Sequence, residues 1–540
     1  MKTPIQEAEK SFDVLVVGGG GAACRAAIAA AEKGAKTAMV VKGSFGKSGS
    51  TAVAMAEIIQ YAAAVGSEDH PDYHFQDTVR AGMGICDERL ARILADEAPE
   101  RLQDLVRFGA RFDFLGGKPV KQEGFAQKIP RGHAPAGRRE STILRALVKR
   151  VRTLPVEIYE NTMACSLLRG PDGVEGVLAL ERKSGTPVLF RGRGVVLAAG
   201  GGEALYPWSP TTRDLTGDGH AMAARAGAEM VNMEFLQMGP VFLKPNNVII
   251  SGPLWRLRPK LTNKRGEKFL PQYLPSKVTE EEVFSTVEFP FTTSNRGMFV
   301  GISVQKEICA QGNPLREGVF FDLSHIPESI LQERIPYTFS ALKKSGVDLA
   351  GSPVEFTVSV QCFHGGARIN EKGETNIKGL YAAGESAGGL RGPDRPAGNA
   401  LAECQVFGER AGRFAADFAK NREGLRDRPA KEAAREAWED LLPGPGGEKE
   451  PAGLLTRLRK LMFHEALVIK NEDGLARAES ELERMEKEEI PNLSRLPQSL
   501  AKGVGVSHAI YTSLLIIRAA KRRKMSLGGY YREDFPSNLL

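Results

Sequence analysis

The chain has 540 residues, too many for a single hydrophobic core, so two to four domains are expected. Its 42% hydrophobic and 26% charged residues are typical of a soluble globular protein. The net charge of +7 is scattered and only three tryptophans occur, which argues against a nucleic-acid-binding protein. Glycine accounts for 59 of the 540 residues, an excess that indicates many tight turns or close backbone contacts.

The six cysteines lie far apart and form no CxxC pair, so we expect no zinc site, redox dithiol or ferredoxin-type cluster in this chain. Dispersed cysteines are typical of reduced thiols in a cytoplasmic protein. Residues 1–11 are polar and lead into a predicted strand, and no long apolar run is evident. We therefore expect no signal peptide or membrane span, and contact with a membrane only through a partner.

The first predicted element is a buried parallel strand, because residues 12–17 (FDVLVV) are almost wholly apolar. Four glycines follow, and then an alanine-rich helix is predicted over 22–33. A second apolar run at 37–41 completes a βαβ unit. Two later runs, 194–199 and 379–383, predict further buried strands that also lead to glycine.

The glycines after the first strand form a G-x-G-x-x-A motif of Gly18, Gly20 and Ala23. The first glycine allows the turn, the second lets the backbone approach a pyrophosphate, and the small third residue lets helix and strand pack. The first N–H groups of the helix then face the anion. The motif alone is weak, but its strand–helix–strand context predicts a nucleotide site.

The second strand ends at Val41-Lys42, without the acid that usually binds the ribose hydroxyls. A lysine at this place suits the 2′-phosphate of NADP, so NADP is one alternative. The two later glycine-ended strands favour a different cofactor, one large dinucleotide such as FAD that is wrapped by distant segments.

Six segments in order along nearly the whole chain then carry a specific resemblance. They are VVGGGGAACRAAIAAAEKG (Val16–Gly34), SFGKSGSTAVA (Ser44–Ala54), VVLAAGGG (Val195–Gly202), TGDGHAMAARAGAEMVNMEFLQ (Thr216–Gln237), KGLYAAGESAGGLRGPDRPAGNALAE (Lys378–Glu403) and SLGGYYREDFP (Ser526–Pro536). This set resembles the succinate dehydrogenase/fumarate reductase flavoprotein family, which also includes L-aspartate oxidase and, distantly, adenylylsulfate reductase.

The resemblance implies an α/β fold in which a Rossmann-like FAD-binding domain comes in two parts, residues 1–235 and 351–420. An inserted α+β capping domain would occupy residues 236–350, where the sequence is mixed and proline-rich. A C-terminal helical domain would occupy residues 421–540. No internal repeat is evident in the sequence.

Carried over by position, the resemblance also implies the contacts of FAD. The residues expected at the cofactor are Gly18, Gly20, Gly21, Ala22 and Ala23 at the pyrophosphate, Lys42 by the ribose, Ser48, Gly49, Ser50 and Thr51 at the isoalloxazine ring, Ala164 at the adenine, Asp218 and Glu385 at ribityl or ribose hydroxyls, and Ala199, Gly200, Asn399, Ala400 and Leu401 around the flavin. Helix capping is the alternative role for Asp218 and Glu385. Because Ser50 stands where membrane-bound members carry the flavin-linked histidine, we predict non-covalent FAD.

The substrate residues of the family are only partly present. The resemblance implies that Arg395 binds substrate and that Arg296 lies near the proton-donor position; a surface salt bridge is the alternative for both. The family's two substrate histidines are missing, which predicts weak binding of succinate or fumarate. Gln361, Arg391 and His364 are expected in a cationic pocket for an anionic substrate, although an ordinary loop histidine is equally consistent with His364.

Near the C-terminus a predicted helix ends in a basic run, Lys521–Lys524 with Arg518 before it. The run either docks an iron–sulfur or ferredoxin-like partner or is a solvated helix end, which the helix dipole favours. The sequence thus predicts an FAD-dependent oxidoreductase that transfers a hydride or electrons between an anionic small molecule and flavin, with an iron–sulfur partner. The alternatives are a flavin module of a larger NAD(P)- or ferredoxin-linked complex with a vestigial carboxylate site, and an L-aspartate-oxidase-like enzyme, which the missing histidines disfavour.

Overall fold

The computed structural model describes residues 9–53, 56–115, 118–245, 248–422, 430–442, 444 and 446–536. Residues 1–8, Ala54 of the second motif and two positions of the Pro/Gly segment 441–451 lie outside the described residues.

The elements are numbered in chain order. The strands are β1 Glu9–Val17, β2 Thr37–Val40, β3 Tyr61–Ala62, β4 Phe114–Leu115, β5 Lys118–Pro119, β6 Lys121–Gln122, β7 Gly132–His133, β8 Val156–Tyr159, β9 Thr162–Gly170, β10 Gly173–Glu181, β11 Pro187–Leu197, β12 Met230–Val231, β13 Leu236–Phe242, β14 Lys260–Thr262, β15 Val319–Asp322, β16 Val354–Phe363, β17 Gly366–Arg368, β18 Leu380–Ala382, β19 Ala387–Gly388, β20 Ile469–Lys470 and β21 Tyr531–Arg532. The helices are α1 Gly21–Glu32, α2 Ser50–Val53, α3 Pro71–Ala81, α4 Glu88–Arg107, α5 Ser141–Val151, α6 Asp218–Arg225, α7 Gly252–Trp255, α8 Leu270–Tyr273, α9 Glu280–Thr286, α10 Gly297–Gln311, α11 Glu328–Arg334, α12 Pro336–Lys344, α13 Asn399–Asn421, α14 Ala430–Leu441, α15 Pro451–Ala466, α16 Glu472–Arg484 and α17 Pro497–Arg522.

The largest sheet has seven strands in the order β8-β2-β1-β11-β10-β9, with β18 also paired to β11. Strand β11 pairs with two strands along the edge that faces away from β1. Its residues 187–191 pair antiparallel with β10, and its residues 195–197 pair parallel with β18. Strand β1 runs parallel to both β11 and β2. The predicted buried strands are therefore present, and β1, β11 and β18 end side by side at one edge of the sheet.

Helix α1 packs on α13 at very short range. A Cβ atom added to Gly408 would lie 2.8 Å from the carbonyl oxygen of Ala22, and one added to Gly412 would lie 2.1 Å from that of Ala26. Such distances are not tolerated by real side chains, so two glycines one helical turn apart allow the backbones to touch. This contact fixes the helix that begins at the glycine motif.

A second, antiparallel sheet has the order β13-β16-β15-β14, and side chains of β15 and β16 contribute to an aromatic core. The ring centroid of Trp255 lies 5.1 Å from that of Phe321, which lies 5.7 Å from that of Phe356, both pairs edge to face. Strand β16 comes from beyond residue 350, where the inserted domain is predicted to end. The sheet of the insert thus extends into the segment assigned by sequence to the second part of the dinucleotide domain.

The C-terminal segment is helical, as predicted, and α17 is its central helix. By length and a mean hydropathy of 1.4 over 18 residues, α17 passes the test for a membrane span, but 83% of that stretch is buried inside the protein. Contacts with α15, α16 and α6 supply this burial. A helix that is apolar all round and surrounded by its own chain is typical of a protein core.

Candidate functional site

The turn after β1 is built for close backbone contact. Gly18 has a φ of +128°, and a Cβ atom on it would lie 2.1 Å from the carbonyl oxygen of Ala198. Gly20 precedes α1, whose first-turn N–H groups have no acceptor within the helix. These N–H groups and the positive end of the helix dipole form an anion-binding turn.

The turns after β1, β11 and β18 converge on one cavity, which we call the glycine-lined cavity. Predicted cofactor residues that line it are Gly18, Gly20, Gly21, Ala22, Lys42, Ser48, Gly49, Ser50, Thr51, Ala164, Ala199, Gly200, Asp218, Glu385, Ala400 and Leu401. Ala23 is fully buried beneath the turn and fills the small-residue position of the motif. The side chain of Asn399 faces elsewhere, with its amide nitrogen 3.0 Å from Thr78 Oγ1 and its oxygen 2.8 Å from His74 Nε2.

At one end of this cavity Lys42 is fully engaged by the protein. Its ammonium group donates to Asp218 Oδ2 at 2.8 Å, to Thr216 Oγ1 at 2.7 Å and to the Asp214 carbonyl oxygen at 2.7 Å. An ammonium group has three N–H donors, and all three are used. Lys42 therefore has no donor left for a 2′-phosphate, which counts against the NADP alternative.

Asp218 is held by distant parts of the chain and does not cap its own helix. Its Oδ1 lies 3.0 Å from His508 Nδ1, and His508 Nε2 lies 2.9 Å from the Cys165 carbonyl oxygen. Burial alone would raise the pKa of Asp218, but Lys42 and His508 outweigh burial and hold that pKa below its ordinary value. The carboxylate is thus ionised and fixed in the cavity wall.

A second carboxylate pair lies beside the turn after β11. Both Glu203 and Glu385 approach Gly201, where an added Cβ would lie 2.4 Å from Glu203 Oε1 and 2.7 Å from Glu385 Oε2. Glu203 has no solvent exposure, and burial together with the Glu385 charge raises its pKa well above the ordinary value. Of the two glutamates, Glu385 is the one that lines the cavity.

A second cavity adjoins the glycine-lined cavity and is lined in part by Gln237 of β13. Both cavities are lined by the same five residues, which we call the boundary set: Glu140, Gln361, Arg395, Ala400 and Leu401. The adjoining cavity carries both signs of charge, since its ionisable side chains are Arg256, Arg334, Arg395, Glu57, Glu123, Glu140 and Glu288. This differs from the expected cationic pocket, because the recognised sequence segments contain Arg395 and none of these glutamates.

Arg395 is held at the boundary by partners on one side of its guanidinium group. One Nη donates to Gln237 Oε1 and the other to the Pro396 carbonyl oxygen at 3.0 Å. The group is 8% exposed, and its Nε–H is buried without an acceptor in the described structure. Gln361 Oε1 is likewise buried without a donor among the described residues. Two buried polar atoms of the boundary set, Arg395 Nε and Gln361 Oε1, therefore have no partner among the described residues.

Arg391 lies behind Arg395 and is largely occupied by the protein. Its Nε donates to Glu403 Oε2 at 2.6 Å, and its Nη1 donates to the Phe363 carbonyl oxygen at 2.5 Å and contacts Cys362 Sγ at 3.0 Å. Burial raises the pKa of the Cys362 thiol well above its ordinary value, although Arg391 opposes this effect. Cys362 is therefore a neutral thiol that lines the cavity, in keeping with an inert role.

Two predicted substrate residues line neither cavity. Arg296 precedes α10 and lies over the Phe299 ring, 5.7 Å from its centroid. His364 is buried, with Nδ1 2.9 Å from the Gly392 carbonyl oxygen. Burial and then the charges of Arg391 and Arg395 lower the pKa of His364 well below its ordinary value. His364 is thus a neutral neighbour of the arginines, and Arg296 contacts an aromatic ring of its own helix.

The basic end of α17 is paired within the chain. Arg518 Nε donates to Glu479 at 3.0 Å and its Nη2 donates to Glu483 at 2.8 Å, while Lys521 Nζ donates to Glu479 at 2.6 Å. Pairing of this kind is what a solvated helix end forms with its neighbours. It leaves less free charge for a partner than the sequence indicates.

Comparisons with known proteins agree with this geometry. A family model described as an FAD binding domain matches residues 13–401, and one described as the fumarate reductase flavoprotein C-terminus matches residues 455–538. A fumarate reductase (CoM/CoB) subunit of Methanothermobacter marburgensis is 32% identical over 97% of this chain and 94% of its own length. L-aspartate oxidase of Caulobacter vibrioides is 31% identical over 97% of this chain and 93% of its own.

Among solved structures, Mycobacterium smegmatis Sdh1 in complex with UQ1 superposes with a TM-score of 0.83 at 27% identity, covering 98% of this chain and 90% of that one. The predicted α/β fold with a C-terminal helical region and the predicted FAD cofactor are confirmed by these matches. The glycine turn presents N–H donors and the fixed Asp218 carboxylate presents a hydrogen-bond acceptor, which are groups of the kinds that a dinucleotide can use. The chain is an FAD-dependent oxidoreductase and belongs to the family of fumarate reductase and succinate dehydrogenase flavoproteins.

Proposed function

We propose that the protein transfers a hydride between an anionic small molecule and FAD and exchanges electrons with an iron–sulfur partner. The observation that carries the proposal is the boundary set, where Arg395 and Gln361 keep buried polar atoms unpaired beside a cavity for a second ligand. Leaving such atoms unpaired costs free energy, so a ligand that pairs them is the simplest reason for the arrangement.

Arg395 and Gln361 would have separate roles in such a reaction. Arg395 would bind a carboxylate or carbonyl oxygen through its free Nε–H, and its contact with Gln237 fixes the guanidinium plane. Gln361 Oε1 would accept a hydrogen bond from the same ligand. Bound FAD would supply or accept the hydride, and Gln237 of β13 and Gln361 of β16 line the adjoining cavity beside it.

The names of relatives support an electron-transfer partner. The Methanothermobacter marburgensis relative is named as one subunit of a fumarate reductase, and the Mycobacterium smegmatis structure is of an Sdh1 complex. A flavoprotein of this kind would take electrons from, or give them to, an iron–sulfur protein. We place the protein in the cytoplasm, with access to a membrane only through such a partner.

The test is a flavin assay on the purified protein. Its absorbance spectrum should show flavin that acid precipitation separates from the protein, as expected for non-covalent FAD. Under anaerobic conditions, succinate, fumarate and L-aspartate are then tested for bleaching or reoxidation of the flavin. A wider screen of carboxylates then follows. If NAD(P)H reduces the flavin and no carboxylate in the screen reduces or reoxidises it, the result supports the electron-transfer module instead.

Arg395→Ala tests the boundary directly. Removing a charged donor from a buried site costs about 2–5 kcal/mol of ligand interaction, so kcat/KM should fall by at least about 30-fold while flavin remains bound. Arg296→Ala is the matched control, because Arg296 lines neither cavity, and its kcat/KM should stay within about threefold of wild type. Equal losses in the two variants would contradict the assignment of the substrate site.

A second candidate is oxidation of an amino dicarboxylate. The adjoining cavity is also lined by Glu57, Glu123 and Glu288, whose oxygens can accept from an ammonium group, which a simple dicarboxylate lacks, and the Caulobacter vibrioides relative is an L-aspartate oxidase. The missing histidines argue against this reaction. Bleaching by L-aspartate but not by succinate would decide for it.

A further inference from the structure

Glu140 occupies an unusual position in the cavity wall. It immediately precedes α5, and its carbonyl oxygen accepts hydrogen bonds from the N–H groups of Ile143 and Leu144 at 3.0 and 3.2 Å. An acidic side chain at this place commonly turns back to cap its helix, but Glu140 makes no such bond. Its carboxyl group lines both cavities, and in the described structure it makes no hydrogen bond or ion pair.

Two other ionisable groups face Glu140. The Glu385 carboxylate lies on the side of the glycine-lined cavity, and the Arg395 guanidinium belongs to the same boundary set. Burial and then the negative charge of Glu385 raise the pKa of Glu140 to about 8, against the opposing charge of Arg395. At neutral pH the carboxyl group is mostly protonated, yet it can release its proton within the physiological range.

The other boundary residues cannot easily move a proton. Ala400 and Leu401 do not ionise, and the amide of Gln361 does not titrate. Arg395 does ionise, but a guanidinium group rarely gives up its proton and its two Nη groups are already bonded. Arg296, for which the sequence resemblance implies proton donation, lies over Phe299 and outside both cavities. Glu140 is the boundary residue whose chemistry suits the task.

We propose that Glu140 is the acid–base residue that exchanges a proton with the substrate carbon next to the one that exchanges hydride. The inference rests on the proposed function. In the reducing direction, bound FAD would supply a hydride to one carbon of the substrate double bond. The neighbouring carbon gains a proton as the Glu140 O–H bond breaks, and the carboxylate is then reprotonated from water. In the oxidising direction Glu140 takes up the proton from that carbon, and bound FAD would accept the hydride from the other carbon.

The test compares flavin-loaded wild type, Glu140→Gln and Glu450→Gln. Glu450 is a matched control, because it also precedes a helix without capping it and its carboxylate accepts from Ser499, away from both cavities. The wild-type reduction rate should fall as pH rises through about 8, where Glu140 loses its proton. Glu140→Gln should lose about 10²–10⁴-fold in kcat together with this limb of the profile, whereas Glu450→Gln should keep both.

A binding measurement gives a readout that does not depend on turnover. A dicarboxylate probe, malonate, adds negative charge beside Glu140 and should raise its pKa further. Binding near pH 8 should then take up as much as about half a proton per site, measured by titration calorimetry in buffers of different ionisation enthalpy. Glu140→Gln should show no uptake while it still binds malonate.

The outcomes separate the two proposals. If wild type converts none of the carboxylates screened, the proposed function fails, and the role of Glu140 fails with it. If wild type is active and Glu140→Gln keeps its rate within about threefold and keeps the pH limb, only the role of Glu140 is overturned. Should Glu140→Gln lose flavin, Glu140→Asp replaces it: a slower enzyme that retains the limb and the proton uptake supports the role, and loss of rate without either contradicts it.

Discussion

Two regions of the site differ in how their polar groups are paired. At the Lys42 end of the glycine-lined cavity the charged groups are paired: Lys42 uses all three donors and Asp218 is fixed by Lys42 and His508. In the boundary set, Gln361 Oε1 and Arg395 Nε are buried without partners among the described residues. Paired groups stabilise the fold, whereas unpaired ones retain their capacity for a ligand at some cost in stability. Mutations in the first should therefore affect folding, and mutations in the second should affect substrate.

The largest effect is expected at Gly18, in the turn of the glycine-lined cavity. Gly18→Ala places a Cβ 2.1 Å from the Ala198 carbonyl oxygen at a φ of +128°, so the strand ends must separate. We expect a loss of at least about 3 kcal/mol of unfolding free energy together with the loss of bound flavin. Denaturant unfolding and the ratio of flavin to protein absorbance measure the two effects.

Gly34→Ala is the control for that comparison. Gly34 also has a positive φ, +78°, but a Cβ there meets nothing within 4 Å. It should cost only about 1–2 kcal/mol, which is the strain of the left-handed backbone itself, with flavin retained. Similar losses in both variants would show that backbone strain, and not the contact between strand ends, governs the turn.

A smaller effect is expected at Asp218. Asp218→Asn leaves the Lys42 ammonium group, whose side chain is 21% exposed, opposite a neutral amide and should cost about 2 kcal/mol at pH 7. The folded pKa of Asp218 lies below its ordinary value of 3.8, so this stabilisation is complete above that pH and is lost as the pH falls below it. The difference between wild type and variant in unfolding experiments should therefore begin to shrink below about pH 4.

The control for this pH dependence is Asp72→Asn, which removes an exposed carboxylate that pairs with Arg92 at 2.6 Å. Surface pairs of this kind contribute little. A pH dependence of stability that is unchanged by Asp218→Asn would show that the pairing with Lys42 and His508 does not stabilise the fold.

The smallest effect on stability is expected at Gln361, where the comparison is sharpest. Gln361→Leu removes a buried, unpaired oxygen, so the free energy of unfolding should change by less than about 1 kcal/mol and its sign should favour the variant. Substrate binding should nevertheless weaken about 10-fold, because one hydrogen bond at the boundary is lost. KM and denaturant unfolding are measured beside Gln272→Leu, an amide on α8 away from both cavities. A loss of stability without a change in KM would contradict the substrate-binding role that is proposed for the unpaired groups of the boundary set.

The sequence predicts the cofactor side well for a physical reason. A buried strand that ends at glycine is a local pattern, and Gly18, Gly20 and the turns after β11 and β18 lie where local geometry requires them. The substrate side depends on side chains that no motif joins. Glu140 lies in none of the six recognised segments, and Gln237, which accepts from Arg395, ends the fourth segment without any role predicted for it.

Two further differences have the same origin. For Arg296 the resemblance implies only a position near the proton donor. In the structure Arg296 precedes α10 and lies over the Phe299 ring, outside both cavities. His508 lies in an apolar stretch that predicts only a helix, and its contact with Asp218 joins residues 290 positions apart. A contact of that sequence separation has no local signature, so the fold must be known before the residue can be assigned.

The same contact has a consequence for how the protein is made. The Asp218 carboxylate in the wall of the glycine-lined cavity is hydrogen-bonded to His508. The Gly217 carbonyl oxygen next to it accepts a hydrogen bond from Thr512 Oγ1 at 2.9 Å. The ribosome must therefore synthesise the chain beyond Thr512, and α17 must dock, before this wall of the glycine-lined cavity is complete. Because residues of α17 hold this wall, we expect flavin loading to follow the docking of α17, when the polypeptide is nearly complete.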